Sequence, residues 1–346
     1  MMMKKLFAVL LCLAIFTLAG CTKVGKDLAV ESGEAPVSQS PEPKIDYSKN
    51  PLTGLHNLTG NTAKNRPVAI MINNIREAQG VQTGVGSADI VYETEVEGGI
   101  TRLLAVYQNI EAVGQIGSIR SARYPYIDLA MGNNAIYVHC GEDPNYAKPH
   151  LRDTDHVSIS ESNYGTRISN GLSSEHTLYT FGDKIWKGLV NAGWKTENTK
   201  LADWQTFAKE DAPVSFEMVA GTVGVPFSLS AKTNFVYDTA TGSYIRKSGE
   251  IERLDYITKQ NLQFKNVFVL LTSIVTYPDG VHRDVKLVGG TGYYCVNGTY
   301  TEIKWSKGTA SSPIVFTNTD GTPLTVNPGN SWVCIANTST SQPVFG

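Results

Sequence analysis

Four short dipeptides constrain this chain more than any other feature. Thr241-Gly242, Asp279-Gly280, Asn297-Gly298 and Asp320-Gly321 punctuate the stretch from Pro226 to Ile335. Asn-Gly and Asp-Gly between apolar runs are strong hairpin signals, because the tight turns that match strand twist need residues tolerant of positive φ. Strands are therefore expected at 234–238, 243–247, 267–277, 283–288, 292–296, 299–305, 314–317, 322–326 and 331–336, forming a meander, sandwich or partial barrel. With 18% charged residues, below the usual ~25%, and 32 glycines, the composition also favours strands and turns over long helices.

The preceding half mixes periods. Apolar runs at 67–72, 90–96, 101–108 and 135–139 read as strands. Helical spacing is seen over Arg123 to Met131, over Lys184 to Ala192 with Gly193 as its stop, and over Leu201 to Lys209. Residues 144–172 show neither period and are expected to form a long polar loop. The fold class expected is α+β: a mixed α/β N-terminal domain over 51–211, a linker over 212–225 and a β-rich C-terminal domain over 226–346. A chain of 346 residues can accommodate two domains of ordinary size. With 30 basic and 32 acidic residues, it lacks the cationic excess of a general nucleic-acid binder.

The first residues give an address. Lys4 and Lys5 precede an apolar run from Leu6 to Ala19; its length of about 14 residues is too short for the ~20 a membrane span needs. It reads as a signal peptide over 1–20. The ending Leu18-Ala19-Gly20-Cys21 resembles the lipobox of bacterial lipoproteins. That resemblance implies a diacylglycerol on the Cys21 sulfur, cleavage before Cys21 and acylation, as by palmitate, of the new amino terminus. Two or three acyl chains anchor firmly at ~0.8 kcal/mol per buried methylene. Residues 21–50, rich in Ser, Pro, Glu and Lys, are expected to form a flexible tether spanning roughly 30 Å. The expected location is the extracytoplasmic face of the cell membrane, with the lipid anchor as the membrane contact.

One segment stands out chemically. Glu93, Glu95 and Glu97 are spaced by two, so a continuous strand would project all three from one face. Two such charges ~7 Å apart repel by roughly 2 kcal/mol at an effective dielectric of 20, so cations are expected beside them. Arg102 follows across the Gly98-Gly99 turn; Arg120 and Arg123 come next, then Asp128. Carboxylates beside guanidinium groups suit an ion-pair network or a ligand site, and also a glycosidase-like acid and base. They could equally hold a hard cation, although no EF-hand-like loop is present.

The stretch Ala88-Asp89-Ile90-Val91-Tyr92-Glu93, then Glu97-Gly98-Gly99-Ile100-Thr101-Arg102 and Gly117 to Arg123, resembles the YerB-like bacterial lipoproteins, built from paired domains of unknown function. The likeness extends over Arg66 to Met71, Ala135 to His139 and His176 to Thr180, where Thr177 replaces an expected Asn. In the second half Tyr237-Asp238, Gly242-Ser243-Tyr244 and Asn327 to Trp332 carry it. The resemblance implies a fold and a location but no activity.

Other constellations are weak. His139 and Cys140 are adjacent and would face opposite sides of a strand, which disfavours a Cys-His couple. His150, His156, Asp153 and Asp155 in the polar loop read as solvated rather than as metal ligands. Cys140, Cys295 and Cys334 remain after Cys12 and Cys21; their odd number precludes complete internal pairing, and Cys295 and Cys334 read as small buried hydrophobes. Trp186, Trp194 and Trp204 suit core packing. No cofactor, metal or nucleic-acid partner is expected. The expected function is binding or scaffolding in the bacterial envelope, through a groove lined by Glu93, Glu95, Glu97, Arg102, Arg120, Arg123, Asp128 and His139, with an envelope protein or cell-wall polymer as partner. The alternative is an envelope hydrolase acting on glycan or phosphate-containing polymer with Glu93 and Glu97 as acid and base. A third possibility is a structural spacer, its charges paired internally.

Overall fold

The computed structural model describes residues 46–199 and 202–346. The signal segment, Cys21, most of the expected tether and the start of the expected helix at 201–209 lie outside the described residues. The described residues form one compact unit.

The fold is α+β, organised by an 11-stranded sheet that takes strands from both halves of the sequence. Strand Ile90–Glu95 lies at its middle, antiparallel to Thr101–Tyr107 on one side and parallel to Ser331–Asn337 on the other. Val68–Asn73 and Ile136–His139 continue the sheet one way. Asn266–Thr272, Gly289–Val296 and Thr299–Ser306 continue it the other way. The central strands are buried on both faces, which is why their sequences read as unbroken apolar runs rather than alternations.

The two faces have different covers. Tyr92, Leu104 and Met71 face helix Tyr124–Gly132, which buries Tyr126, Ile127, Leu129 and Ala130. Pro125 sits in the first turn of that helix, where its missing N–H has no intrahelical role. On the opposite face Val91, Leu103, Val267 and Trp332 pack with Phe235, Tyr244 and Phe264 of a second, 6-stranded sheet. Helix Gly182–Asn191 adds Ile185 and Leu189 there. It ends before Gly193, whose φ of 73° suits a residue without a side chain.

Several expectations need correction. Residues 201–209 are not helical where described: Thr206–Phe207 is a strand parallel to Thr325–Val326. Trp204 packs edge-on against Phe268 and Phe316, so burial of the aromatic side chains decides against helical spacing. The expected single strand at 267–277 is two, Asn266–Thr272 and Ile274–Thr276. The second leaves the large sheet to pair with Arg283–Val285. Residues 144–172 contain helix Ala147–Leu151 and strands His156–Ser158 and Thr166–Arg167. Residues 212–225 contribute Met218–Val219 to the large sheet and the start of Thr222–Pro226 to the smaller one.

Candidate functional site

The three glutamates do not share a face. Strand pairing ends at Glu95, and the following turn, Glu97–Gly99, places Gly98 at φ 68° and Gly99 at φ 70°. Glu97 therefore turns to the side occupied by Arg102, while Glu93 and Glu95 stay on the other.

Glu93 is sealed in the protein, 1% exposed. Its carboxylate accepts hydrogen bonds from Asn74 Nδ2 at 2.9 Å, Thr101 Oγ1 at 2.8 Å, Thr233 Oγ1 at 2.9 Å and Trp332 Nε1 at 3.1 Å. Arg246 lies over the Trp332 ring, 5.0 Å from its centroid, and is also fully buried. This polar island ties the two halves together, since Asn74, Glu93 and Thr101 precede residue 200 and Thr233, Arg246 and Trp332 follow it. Glu93 is thereby removed from any groove and from general acid-base work, which requires contact with a substrate.

Glu97 is gripped from two directions. Arg123 donates through Nε to Oε2 at 2.8 Å and through Nη2 to Oε1, and Arg102 donates through Nη2 to Oε1 at 3.0 Å. Arg102 also donates to the Ser121 carbonyl. Partial burial opposes ionisation of Glu97, but the Arg123 hydrogen bonds and both guanidinium charges outweigh it and bring its pKa down to about 2. A carboxylate so firmly ionised is a poor proton donor. The Tyr126 hydroxyl, hydrogen-bonded to backbone of Thr94 and Arg102, fixes the neighbouring helix to this cluster.

The remaining expected residues go elsewhere. Arg120 donates to the Glu175 carboxylate at 3.0 Å and its carbonyl at 3.1 Å. Asp128 is buried on helix Tyr124–Gly132, with Oδ1 lacking a hydrogen bond among the described residues. Burial raises its pKa, against the charges of Lys307 and His150. His139 is buried in the sheet; its Nδ1–H donates to the Gly141 carbonyl at 2.7 Å, which leaves Nε2 to accept from His156 Nδ1 at 2.9 Å. Burial pushes the His139 pKa down to about 4. Cys295 and Cys334 are buried free thiols on strands flanking Asn266–Thr272. Among the described residues no group of three or more His, Cys, Asp or Glu side chains is placed to hold a metal ion.

What the structure does open is a cleft at Glu95. Its carboxylate accepts from Arg283 Nε at 2.6 Å, across 188 residues of sequence. That pair lines two depressions at once. The larger has a volume of about 470 Å³ and is walled by Phe227, Leu229 and Ile274, with Thr276, Asn337 and Thr340 as polar lining. Leu229 is fully exposed at its edge. The smaller, of about 10 Å³, runs from Glu97 and Arg123 past Tyr124 to Tyr146, Tyr277 and His282. There Tyr146 stacks on Tyr277 with ring centroids 3.8 Å apart. His282 bridges Asp143, at 3.2 Å, and Asp279, at 2.6 Å. The His282 hydrogen bond is the first cause that lowers the Asp279 pKa, to about 2.

Sequence reasoning missed Arg283, His282, Phe227 and Leu229. No local pattern marks them: His282 and Arg283 are placed where the chain leaves the large sheet after Thr272, pairs Ile274–Thr276 with Arg283–Val285 and rejoins the sheet at Gly289, and Phe227 and Leu229 by the loop that follows Thr222–Pro226. The Gly98-Gly99 pair was the one available hint: the Ser228 hydroxyl donates to the Gly99 carbonyl and so seats the 227–231 loop beside the turn.

This architecture, with strands of two sequence halves interleaved about a buried polar island, is that of a two-part family. Residues 52–195 match the family described as "Protein of unknown function (DUF3048) N-terminal domain", and residues 223–333 match its C-terminal domain. The chain belongs to this family, which is that of the YerB-like proteins. It is 30% identical over 295 residues to the putative lipoprotein YerB of Bacillus subtilis (strain 168), covering 83% of this chain and 86% of that one. The crystal structure of the YerB protein from Bacillus subtilis superimposes with a TM-score of 0.73 at 27% identity, covering 86% of this chain and 99% of that one.

Proposed function

We propose that this chain is a lipid-anchored binding protein of the bacterial envelope, holding an envelope protein segment or cell-wall polymer in the cleft over the Glu95–Arg283 pair. The anchor is supported by the Leu18-Ala19-Gly20-Cys21 ending and by the likeness to the putative lipoprotein of Bacillus subtilis. No helix among the described residues is long and apolar enough to cross a membrane.

The observation that carries the binding reading is the cleft itself. At about 470 Å³ it has the size of an ordinary ligand pocket, and it combines apolar walls with a few polar groups and one fixed ion pair. Arg283 is held by Glu95 through Nε and by the Thr276 hydroxyl through Nη1, so its guanidinium is oriented before any partner arrives. Such preorganisation lowers the ordering cost of binding. The hydrolase reading loses its acid-base pair, since Glu93 is sealed and Glu97 is held ionised by two arginines.

The test is capture by the full-length protein in crosslinked membranes. A defined envelope component should be recovered with the native chain, and the Leu229→Asp, Arg283→Ala double variant should recover it at least about tenfold less, as expected for loss of a buried apolar contact and a positioned charge. Equal recovery with both proteins, or no specific recovery with either, defeats the reading.

A further inference from the structure

A second feature extends from the polar island at Arg246, and none of its arginines lines the cleft. Strand Ser243–Ser248 carries Arg246, and the cross-strand neighbour of Arg246 is Arg253, whose N–H donates to the Arg246 carbonyl at 2.9 Å. Like charges facing each other across a strand pair are destabilising. Arg76, two residues after the Asn74 that accepts from Arg246, adds a third cation; burial first, then the charges of Arg246 and Arg76, lower the Arg253 pKa. Glu93 is the carboxylate whose charge acts on Arg246, but its acceptors are given to Asn74, Thr101, Thr233 and Trp332.

The polar atoms here are conspicuously unfilled. Arg246 is 1% exposed, and among the described residues it makes one side-chain hydrogen bond, from Nη2 to Asn74 Oδ1 at 3.2 Å. Among those residues its Nε and Nη1 are buried without a partner, as is Nε of Arg253. Gln79 and Gln82 converge on the same Asn74, through its carbonyl at 3.1 Å and its Oδ1 at 3.0 Å. Buried donors are normally satisfied, and an unmet one attached to a cation is more costly than a neutral one. The arrangement is also graded: Arg76 is exposed, Arg253 half-buried and Arg246 enclosed, so charge leads inward from solvent.

We propose that Arg76, Arg253 and Arg246 form a binding site for a small oxyanion, a phosphate or carboxylate group. The forked guanidinium groups offer the donors that such an anion accepts, and the anion would fill the unmet Nε and Nη1 positions while screening the Arg246–Arg253 repulsion. Arg246 has the Glu93 charge beside it, but Arg76 and Arg253 make no ion pair among the described residues, so water in place of the anion would satisfy the hydrogen bonds and leave those two cations uncompensated.

The probe is inorganic phosphate, titrated into the full chain against sodium chloride at matched ionic strength, with acetate as a second arm. Calorimetry and thermal unfolding are read together. Saturable phosphate binding with a raised Tm is expected, and affinity about tenfold weaker or worse in Arg253→Gln and in the exposed Arg76→Gln, each of which removes a charged donor. Without phosphate, Arg253→Gln should unfold no lower than the native chain, because a like-charge contact is relieved. Binding of acetate as well assigns the site to carboxylates too; phosphate alone assigns it to tetrahedral anions. No saturable heat with equal Tm in phosphate and chloride, or equal binding by native chain and both variants, overturns the proposal and leaves the cluster filled by water only.

Discussion

Replacing Glu93 by Ala tests whether this carboxylate is a strut between the halves. The substitution leaves the side-chain donors of Asn74, Thr101, Thr233 and Trp332 facing a void and removes the charge that balances Arg246. Breaking a buried charge pair by deleting one partner typically costs about 3–5 kcal/mol. Not all of this need appear, since Asn74 and Thr101 also hydrogen-bond each other at 2.8 Å. The expected loss is therefore about 3 kcal/mol or more, which for a chain of this size lowers Tm by roughly 6–12 °C. The same change at Glu175, whose pair with Arg120 is largely exposed, should cost no more than about 1 kcal/mol. Denaturant unfolding of the two variants beside the native chain supplies the comparison. If Glu93→Ala loses less than about 1 kcal/mol, or no more than Glu175→Ala, the buried-strut argument fails.

Two pH effects accompany it. Glu97 has a folded pKa near 2, below the ordinary carboxylate value, so its contribution to stability is present above pH ~4.5 and lost as pH falls towards 2; Glu97→Gln should flatten stability against pH in that window, and an unchanged profile would refute the two-arginine grip. His139 has a folded pKa near 4, below its unfolded value of ~6.5, so the unfolded chain takes up the proton first. Its stabilisation is full above pH ~6.5 and is lost as pH falls towards 4, by up to roughly 3 kcal/mol; His139→Gln should remove that slope, measured by urea unfolding at stepped pH.

Much of the architecture was legible locally. The strands at 90–96 and 101–108, the helix ending before Gly193 and the hairpin after Thr241-Gly242 depend on short-range period and turn chemistry, and they occur within a residue or two of where the sequence puts them. The helix expected at 201–209 failed because Trp204 and Phe207 are held by contacts with residues more than a hundred positions away. The site divided along the same line. Arg102, Arg123 and Glu97 do converge; the closeness of Arg102 to Glu97 across one turn was readable, whereas Arg123 arrives from 26 residues away at the start of helix Tyr124–Gly132. Glu93 does not join them, because two glycines end the strand and reverse the alternation on which the shared face depended.

The chain's own order of residues determined the α+β class, the hairpin spacing, the candidate lipid address and the placing of Arg102 beside Glu97, since each follows from neighbours along the backbone. Tertiary structure alone decided that strand Ser331–Asn337 enters beside Ile90–Glu95, burying Glu93 under Trp332 and Arg246. It also decided that Arg283 crosses to Glu95, so that the pair lines a cleft. Pairings over some 190 to 240 residues leave no periodic trace, because burial of the whole sheet selects them and no short segment favours one partner over another.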